Sequence, residues 1–143
     1  MHTLHKSVLI QAPATQVFEY IDDPLTNPEW VVGLTEVTDT SGTGKGRRHR
    51  WKYKMVGIPF SGETVVTEHE PGKRLVLAAK GAGGESNWTF VLEEGEGETT
   101  LDVTVDYTIP VPVLGKFAEK FILKRNEREF ELGLENIRER LEA

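Results

Sequence analysis

The side chains with the widest chemical range in this sequence are one histidine and a few polar residues set among aromatics. His49 shares its parity with Arg47, Trp51, Tyr53 and Met55 in an alternating stretch from Arg47 to Met55. A histidine that titrates near neutrality can serve as acid or base beside a bound carbonyl. No carboxylate or hydroxyl partner can be assigned to it from the sequence, so it reads first as a rim histidine bonded to solvent. Farther along, Arg125 and Asn126 interrupt an apolar seam at helical spacing, and Gly133 interrupts it again. A buried guanidinium is costly unless paired, so Arg125 needs a partner, solvent at a cavity mouth, or an acid or carbonyl of a ligand. A surface arginine lying along Phe121 is the alternative. Asn126 reads first as an internal hydrogen-bonding partner of sheet backbone and second as a ligand contact. A helix-interior glycine costs about 1 kcal/mol relative to alanine, so Gly133 points to close approach of a strand or to space for a ligand.

Other chemistries are excluded or unsupported. The 143 residues contain no Cys, which removes disulfides, thiolate metal sites and cysteine nucleophiles. With 17 Lys+Arg against 23 Asp+Glu the net charge is −6, the wrong balance for neutralising nucleic-acid phosphates. His2 and His5 lack a third ligand, so no metal site is expected. The glycine runs from Gly42 to Gly46 and from Gly81 to Gly84 precede strands rather than helices and read as hairpin turns, not phosphate loops. Glu68 and His69 receive no role, because adjacent Val65 and Val66 obscure the parity of their strand. Lys45, Arg47, Arg48, Arg50, Lys52 and Lys54 form one basic patch, read as a solvated sheet face with Glu63, Asp102 or Asp106 as neighbours. No Ser-His-Asp set or carboxylate pair emerges, and no catalytic residue or cofactor is assigned. The N-terminus lacks a secretory apolar block and no stretch reaches the roughly 18 apolar residues of a span, so a cytoplasmic protein without stable membrane insertion is expected.

The elements that must position these residues follow from periodicity. Residues 4–11 read as a strand, and Ala12-Pro13 opens a short helix with Val17, Phe18 and Ile21 on one face. A second short helix carries Pro28, Glu29 and Trp30. Strands are then expected near 35–40, 47–55, 60–69 and from 75, followed by a strand with Trp88, Phe90 and Leu92 on one face. The last carries Leu101, Val103, Val105, Tyr107 and Ile109 on one face, completing an antiparallel meander with one wet face. Leu114, Phe117, Ala118, Phe121, Ile122, Phe130, Leu134, Ile137 and Leu141 recur at helical spacing. Such a helix is about 42 Å long and can cross the concave face of a six- or seven-stranded sheet.

This order of elements resembles the helix-grip fold of the START/Bet v 1-like (SRPBCC) superfamily over the whole chain. The stretch Ile10-Gln11-Ala12-Pro13 through Asp22-Asp23-Pro24, then Pro28-Glu29-Trp30, Glu70-Pro71-Gly72-Lys73-Arg74-Leu75 and Val113-Leu114-Gly115, is similar to the polyketide cyclase/dehydrase and coenzyme Q-binding branches. The resemblance implies an α+β fold in one domain, residues 1–143. A curved antiparallel sheet would wrap a long C-terminal helix, with two short helices after the first strand and a cavity between sheet and helix.

Inward positions in such a fold would be Trp51, Tyr53, Met55, Trp88, Phe90, Tyr107, Phe117, Phe121 and Phe130, with Trp30 added from the second short helix and His49, Arg125 and Asn126 as polar members. These rings either pack a solid core or line an apolar cavity. Three functions are compatible. The leading one is binding of a hydrophobic small molecule such as a lipid, isoprenoid quinone or polyketide, by a monomer or homodimer. A cyclase or dehydratase using the same cavity is the second, and a co-chaperone-like module working through the basic face around Arg48 and Arg50 is the third.

Overall fold

Alternation of apolar and polar residues dominates the middle of the chain, and there the backbone pairs into one sheet. The computed structural model describes residues 1–82, 84–108 and 119–143. The strands are β1 (His2–Ile10), β2 (Leu34–Ser41), β3 (Arg48–Met55), β4 (Ile58–Glu70), β5 (Arg74–Gly81), β6 (Gly84–Glu94) and β7 (Thr99–Tyr107). They form a seven-stranded antiparallel sheet in the order β1-β7-β6-β5-β4-β3-β2. Arg48, Arg50, Lys52 and Lys54 lie on the exposed face of β3, as its parity requires.

Between β1 and β2 stand α1 (Ala14–Asp22), a 3-10 turn (Pro24–Thr26) and α2 (Asn27–Trp30). Pro13 precedes α1 in extended conformation, and Ala14, Val17, Phe18 and Ile21 bury the face that their spacing defines. Asp23 ends that helix and caps the next turn, its carboxylate accepting from Leu25 N at 3.0 Å. The last helix, α3 (Glu119–Glu142), spans 24 residues and lies along β1. Lys6 reaches Glu131 at 3.4 Å, and Gln11 N donates to Glu142 at 2.8 Å. The expected start of this helix at Leu114, and Phe117 with it, lies outside the described residues. No helix among the described residues is long and apolar enough to cross a membrane.

The phase of α3 corrects one expectation. Ile122, Asn126, Phe130, Gly133, Leu134 and Ile137 are turned inward, whereas Phe121 is 61% exposed. Phe121 sits about 100° around the helix from Ile122, on the side away from Asn126. Of the two apolar rows that meet at mid-helix, only the one through Ile122 and Asn126 faces the sheet.

Register arranges the concave face in rows. Leu75, Phe90 and Val103 form one row, and Val66, Leu77, Trp88, Val105 and Leu4 the next. His49, Thr64, Ala79, Ser86 and Tyr107 follow, and then Trp51, Gly62, Gly81 and Gly84. A bulge between Val66 and Glu68 inserts one residue into β4. It turns His69 to the side of Leu75 and resolves the parity that Val65 and Val66 obscure. The first two rows, α1 and the far half of α3 make the solid core, where Ile10, Val17, Leu75, Leu101, Val103 and Ile137 are inaccessible to solvent.

Candidate functional site

Beyond the solid core the same sheet face and the same helix enclose a cavity of about 230 Å³. Trp88 and Phe90 stack with ring centroids 6.1 Å apart, Trp30 meets both edge-on at 5.8 and 6.0 Å, and Phe130 leans on Trp88 at 6.3 Å. These four rings form the inner wall. The solid-core reading therefore describes one side of them and the cavity reading the other. Trp51, Tyr53, Met55 and Phe60 line the part near the β3-β4 hairpin, and Val31, Val32 and Leu34 line the part near α2.

Glycines make room for two of these rings. A Cβ on Gly62 would stand 2.5 Å from the Trp51 indole and collide with Lys80 O, so the indole rests directly on backbone. Gly33, at φ +94, meets the Tyr53 ring in the same way. Gly81 and Gly84 do flank the β5-β6 turn, as their runs imply, but in register they also continue the bare floor beside Trp51.

The polar atoms of the wall are distinctive. Among the described residues, six buried side-chain polar atoms lack a hydrogen-bond partner in the chain, and five belong to residues lining this cavity: Asn27 Oδ1, Trp30 Nε1, His49 Nδ1, Tyr107 OH and Glu129 Oε2. Each such atom costs about 1–3 kcal/mol relative to a satisfied one. Natural cores mostly avoid this arrangement.

His49 is 3% exposed, not a solvent-bonded rim residue. Burial first, and the charge of Arg47 second, hold its pKa down to about 4, so the ring is neutral at pH 7. Burial likewise pushes the Tyr107 hydroxyl above its ordinary range, opposed by the nearby Asn126 side chain, which makes no hydrogen bond of normal geometry to it. Arg47 is also drawn away from the rim. Its guanidinium donates to Asp22 at 2.9 Å, and His69 meets the other oxygen of the same carboxylate at 3.0 Å, tying α1 to the sheet.

On α3, Asn126 lines the cavity and bonds no sheet backbone; its Oδ1 accepts from Arg125 Nη1 at 3.1 Å. Arg125 is not a wall residue. It pairs instead with Glu129, Nη2 to Oε2 at 3.0 Å, at an angle outside hydrogen-bond geometry. Of the options open to Arg125, the ion pair with its own helix is the one formed. Gly133 admits α2 rather than a strand, since a Cβ there would lie 2.9 Å from Trp30 O. Asn27, Glu129, Thr64 and Ser86 are wall residues that sequence reasoning passed over. Thr64 was recoverable from its pairing with His49 once the bulge is placed, but nothing local distinguishes Glu129 from the solvated charges around it.

Among the described residues the outer face offers no rival. His5 and Ser7 both bond one oxygen of Asp102, at 2.6 and 2.5 Å, so the hydroxyl serves the carboxylate and not the imidazole. Thr3 takes Asp106 at 2.6 Å, while Arg48 pairs with Glu63 at 2.6 Å and Lys52 with Glu36 at 3.2 Å. Asp102 and Asp106 thus serve β1 rather than the basic strand. No cluster of three or more His, Cys, Asp or Glu able to hold a metal occurs among the described residues.

Solved structures share this architecture. A Thermus thermophilus protein is 18% identical, with 98% of this chain and 97% of that chain covered at a TM-score of 0.83. A START superfamily protein from Mycobacterium smegmatis is 20% identical over 99% of both chains, TM-score 0.76. An aromatase/cyclase from Streptomyces sp. R1128 is 15% identical over 99% of this chain and 96% of its own, TM-score 0.74. These likenesses establish the helix-grip fold. No curated protein matches the sequence. The match that reaches past fold is to a family model covering residues 1–142, and by it the chain belongs to the polyketide cyclase/dehydrase and lipid transport family.

Proposed function

We propose that this chain binds a compact, largely apolar small molecule with polar substituents, held between the concave sheet face and α3. The observation that carries this reading is an apolar cavity walled by aromatic rings between sheet and helix, five of whose lining residues carry a buried polar atom that the chain leaves without a hydrogen-bond partner. A volume of about 230 Å³ falls just under the range of about 300–1,000 Å³ usual for drug-sized ligands. It suits one ring system or a short chain better than a whole diacyl lipid. Apolar burial at about 25 cal/mol per Å² drives capture, and the polar atoms set orientation. Among the polar groups of the wall residues, the Trp30 indole can only donate, whereas the Tyr107 hydroxyl and the neutral His49 ring can each donate or accept.

The chemistry of His49 favours binding over acid–base catalysis by that residue. A base whose conjugate acid has a pKa of about 4 lies far from the near-neutral value that makes proton transfer efficient at pH 7. A cyclase acting here would depend on folding a reactive chain within the cavity rather than on His49 as base.

Native mass spectrometry of freshly purified protein, followed by titration with the neutral dye N-phenyl-1-naphthylamine, tests the proposal. The expected result is a bound apolar molecule or saturable dye binding that Trp51→Ala weakens at least tenfold. Absence of binding by every apolar probe, with Trp51→Ala lowering stability alone, would sink it.

A further inference from the structure

The outward side of α3 changes character along its length. Phe121 and Leu132 are 61% and 50% exposed. A spacing of eleven residues puts them about 16 Å apart and within about 20° of one line along the helix. Lys124 and Arg128 stand between them on that side, both exposed. Beyond Leu132 the same side turns acidic, with Glu135 and Glu139. The acids that could neutralise the first half are engaged elsewhere or turned aside. Glu119 lies 3.7 Å from His2, Glu129 3.0 Å from Arg125 and Glu131 3.4 Å from Lys6. Glu127 sits about 100° around the helix from Arg128, toward Tyr107, whose hydroxyl its charge affects. Lys124 and Arg128 make no ion pair with any described residue, and residues 109–118 contain no Asp or Glu. This half of the outward side is therefore cationic and apolar, although the chain carries a net charge of −6.

We propose that the first half of α3, from Phe121 to Leu132, is a docking surface for an anionic lipid bilayer. An aromatic ring and a leucine on one convex line suit a flat surface into which both side chains can dip, with no groove required of the partner. The two cations between them meet anionic headgroups. Two apolar side chains and two charges give a reversible attachment that salt weakens, not insertion. On the opposite side of the same segment Asn126 and Phe130 line the cavity. Docking would thus hold the cavity about one helix diameter, roughly 10 Å, from the lipid. The docking surface rests on exposure and charge, so it stands or falls separately from the binding function proposed above.

Cosedimentation of the full chain with vesicles of phosphatidylcholine, alone or mixed equally with phosphatidylglycerol, tests this. The expected result is attachment to the mixed vesicles only, weakened by added salt. Phe121→Ala with Leu132→Ala, and Lys124→Glu with Arg128→Glu, should each lower the partition coefficient about tenfold or more. All four positions are exposed, so both double variants should melt with the parent and bind dye in the cavity as the parent does. Because the chain has no Cys, Leu132→Cys admits a single environment-sensitive fluorophore, whose emission should shift to the blue on the mixed vesicles. The same label at Glu139→Cys, on the acidic half, should not shift. No attachment to the mixed vesicles, attachment that both double variants leave unchanged, or equal shifts at the two labels overturns the proposal. So does a dimer in vesicle-free solution that Phe121→Ala with Leu132→Ala dissociates, since the surface then belongs to a second copy of the chain.

Discussion

The two ends of β7 bury polar side chains on the same face of the same strand and treat them differently. At one end Thr99 is wholly inaccessible, and its hydroxyl donates to Ala12 O at 2.8 Å. At the other end Tyr107 is 7% exposed, and its hydroxyl has no partner among the described residues. Around Thr99 the chain also satisfies half-buried backbone: Ala14 N finds Glu94 at 3.1 Å. In the wall of the same cavity His49, Trp30 and Asn27 carry unsatisfied atoms too. One sheet and one helix thus support a finished core and an unfinished one. The unfinished end coincides with the cavity.

If this division is real, deletions at the finished end should cost folding energy and leave binding alone. Leu101 is inaccessible to solvent at the core end of β7, and Leu101→Ala should lose about 2–5 kcal/mol in urea denaturation. Met55 is half-buried in the cavity wall; Met55→Ala should lose about 1 kcal/mol or less while weakening dye binding. Equal stability losses in the two variants would break the comparison, because the cavity end would then be packed as tightly as the core.

A pH titration sharpens it next. The unfolded chain protonates histidine as pH falls through its ordinary 6.5, but folded His49 resists until about 4. The neutral ring therefore contributes stability that is intact above 6.5 and drains away as the pH falls from 6.5 toward 4. The loss is at most about 3 kcal/mol by the size of that displacement, less to the extent that the site is wet. Denaturant melts at pH 7 and 4.5 should show a smaller difference for His49→Gln than for the parent. An unchanged difference would mean that His49 is hydrated and that its end of the cavity is open.

How much of this was legible beforehand follows from where each signal resides. The alternations of Trp51 with Tyr53, of Trp88 with Phe90, and of Leu101 through Tyr107 carry the sheet, because a period of two is a property of the strand itself. The helix is carried equally well by Ile122, Phe130, Leu134 and Ile137. The phase of that helix was not local: Phe121 and Ile122 are both apolar neighbours, and only packing against β1 and α2 decides which turns inward. The bulge in β4 hid Thr64. Gly62 gave no sign that an indole rests on it. Asn27 and Glu129 looked like the solvated residues they resemble, because a polar group's burial depends on elements about a hundred residues away in the chain. The walls of the cavity were visible through their rings, whereas the unpartnered polar atoms of the wall residues were not.

The smallest effect is the most diagnostic, because its sign differs between the two ends of one strand. Thr99→Val removes the bond to Ala12 O and strands that carbonyl in the core, so it should cost about 1 kcal/mol. Tyr107→Phe removes a hydroxyl that has no partner in the folded chain; with nothing lost but a desolvated oxygen, the variant should be as stable as the parent or more so by up to about 1 kcal/mol. Ligand affinity should move the opposite way, unchanged in Thr99→Val and reduced in Tyr107→Phe. Paired urea melts on the two single variants and the double variant measure the stability side, and additivity is expected because the sites lie at opposite ends of β7. If Tyr107→Phe instead destabilises as much as Thr99→Val, the hydroxyl is satisfied in the folded protein, and Tyr107 belongs to the finished core after all.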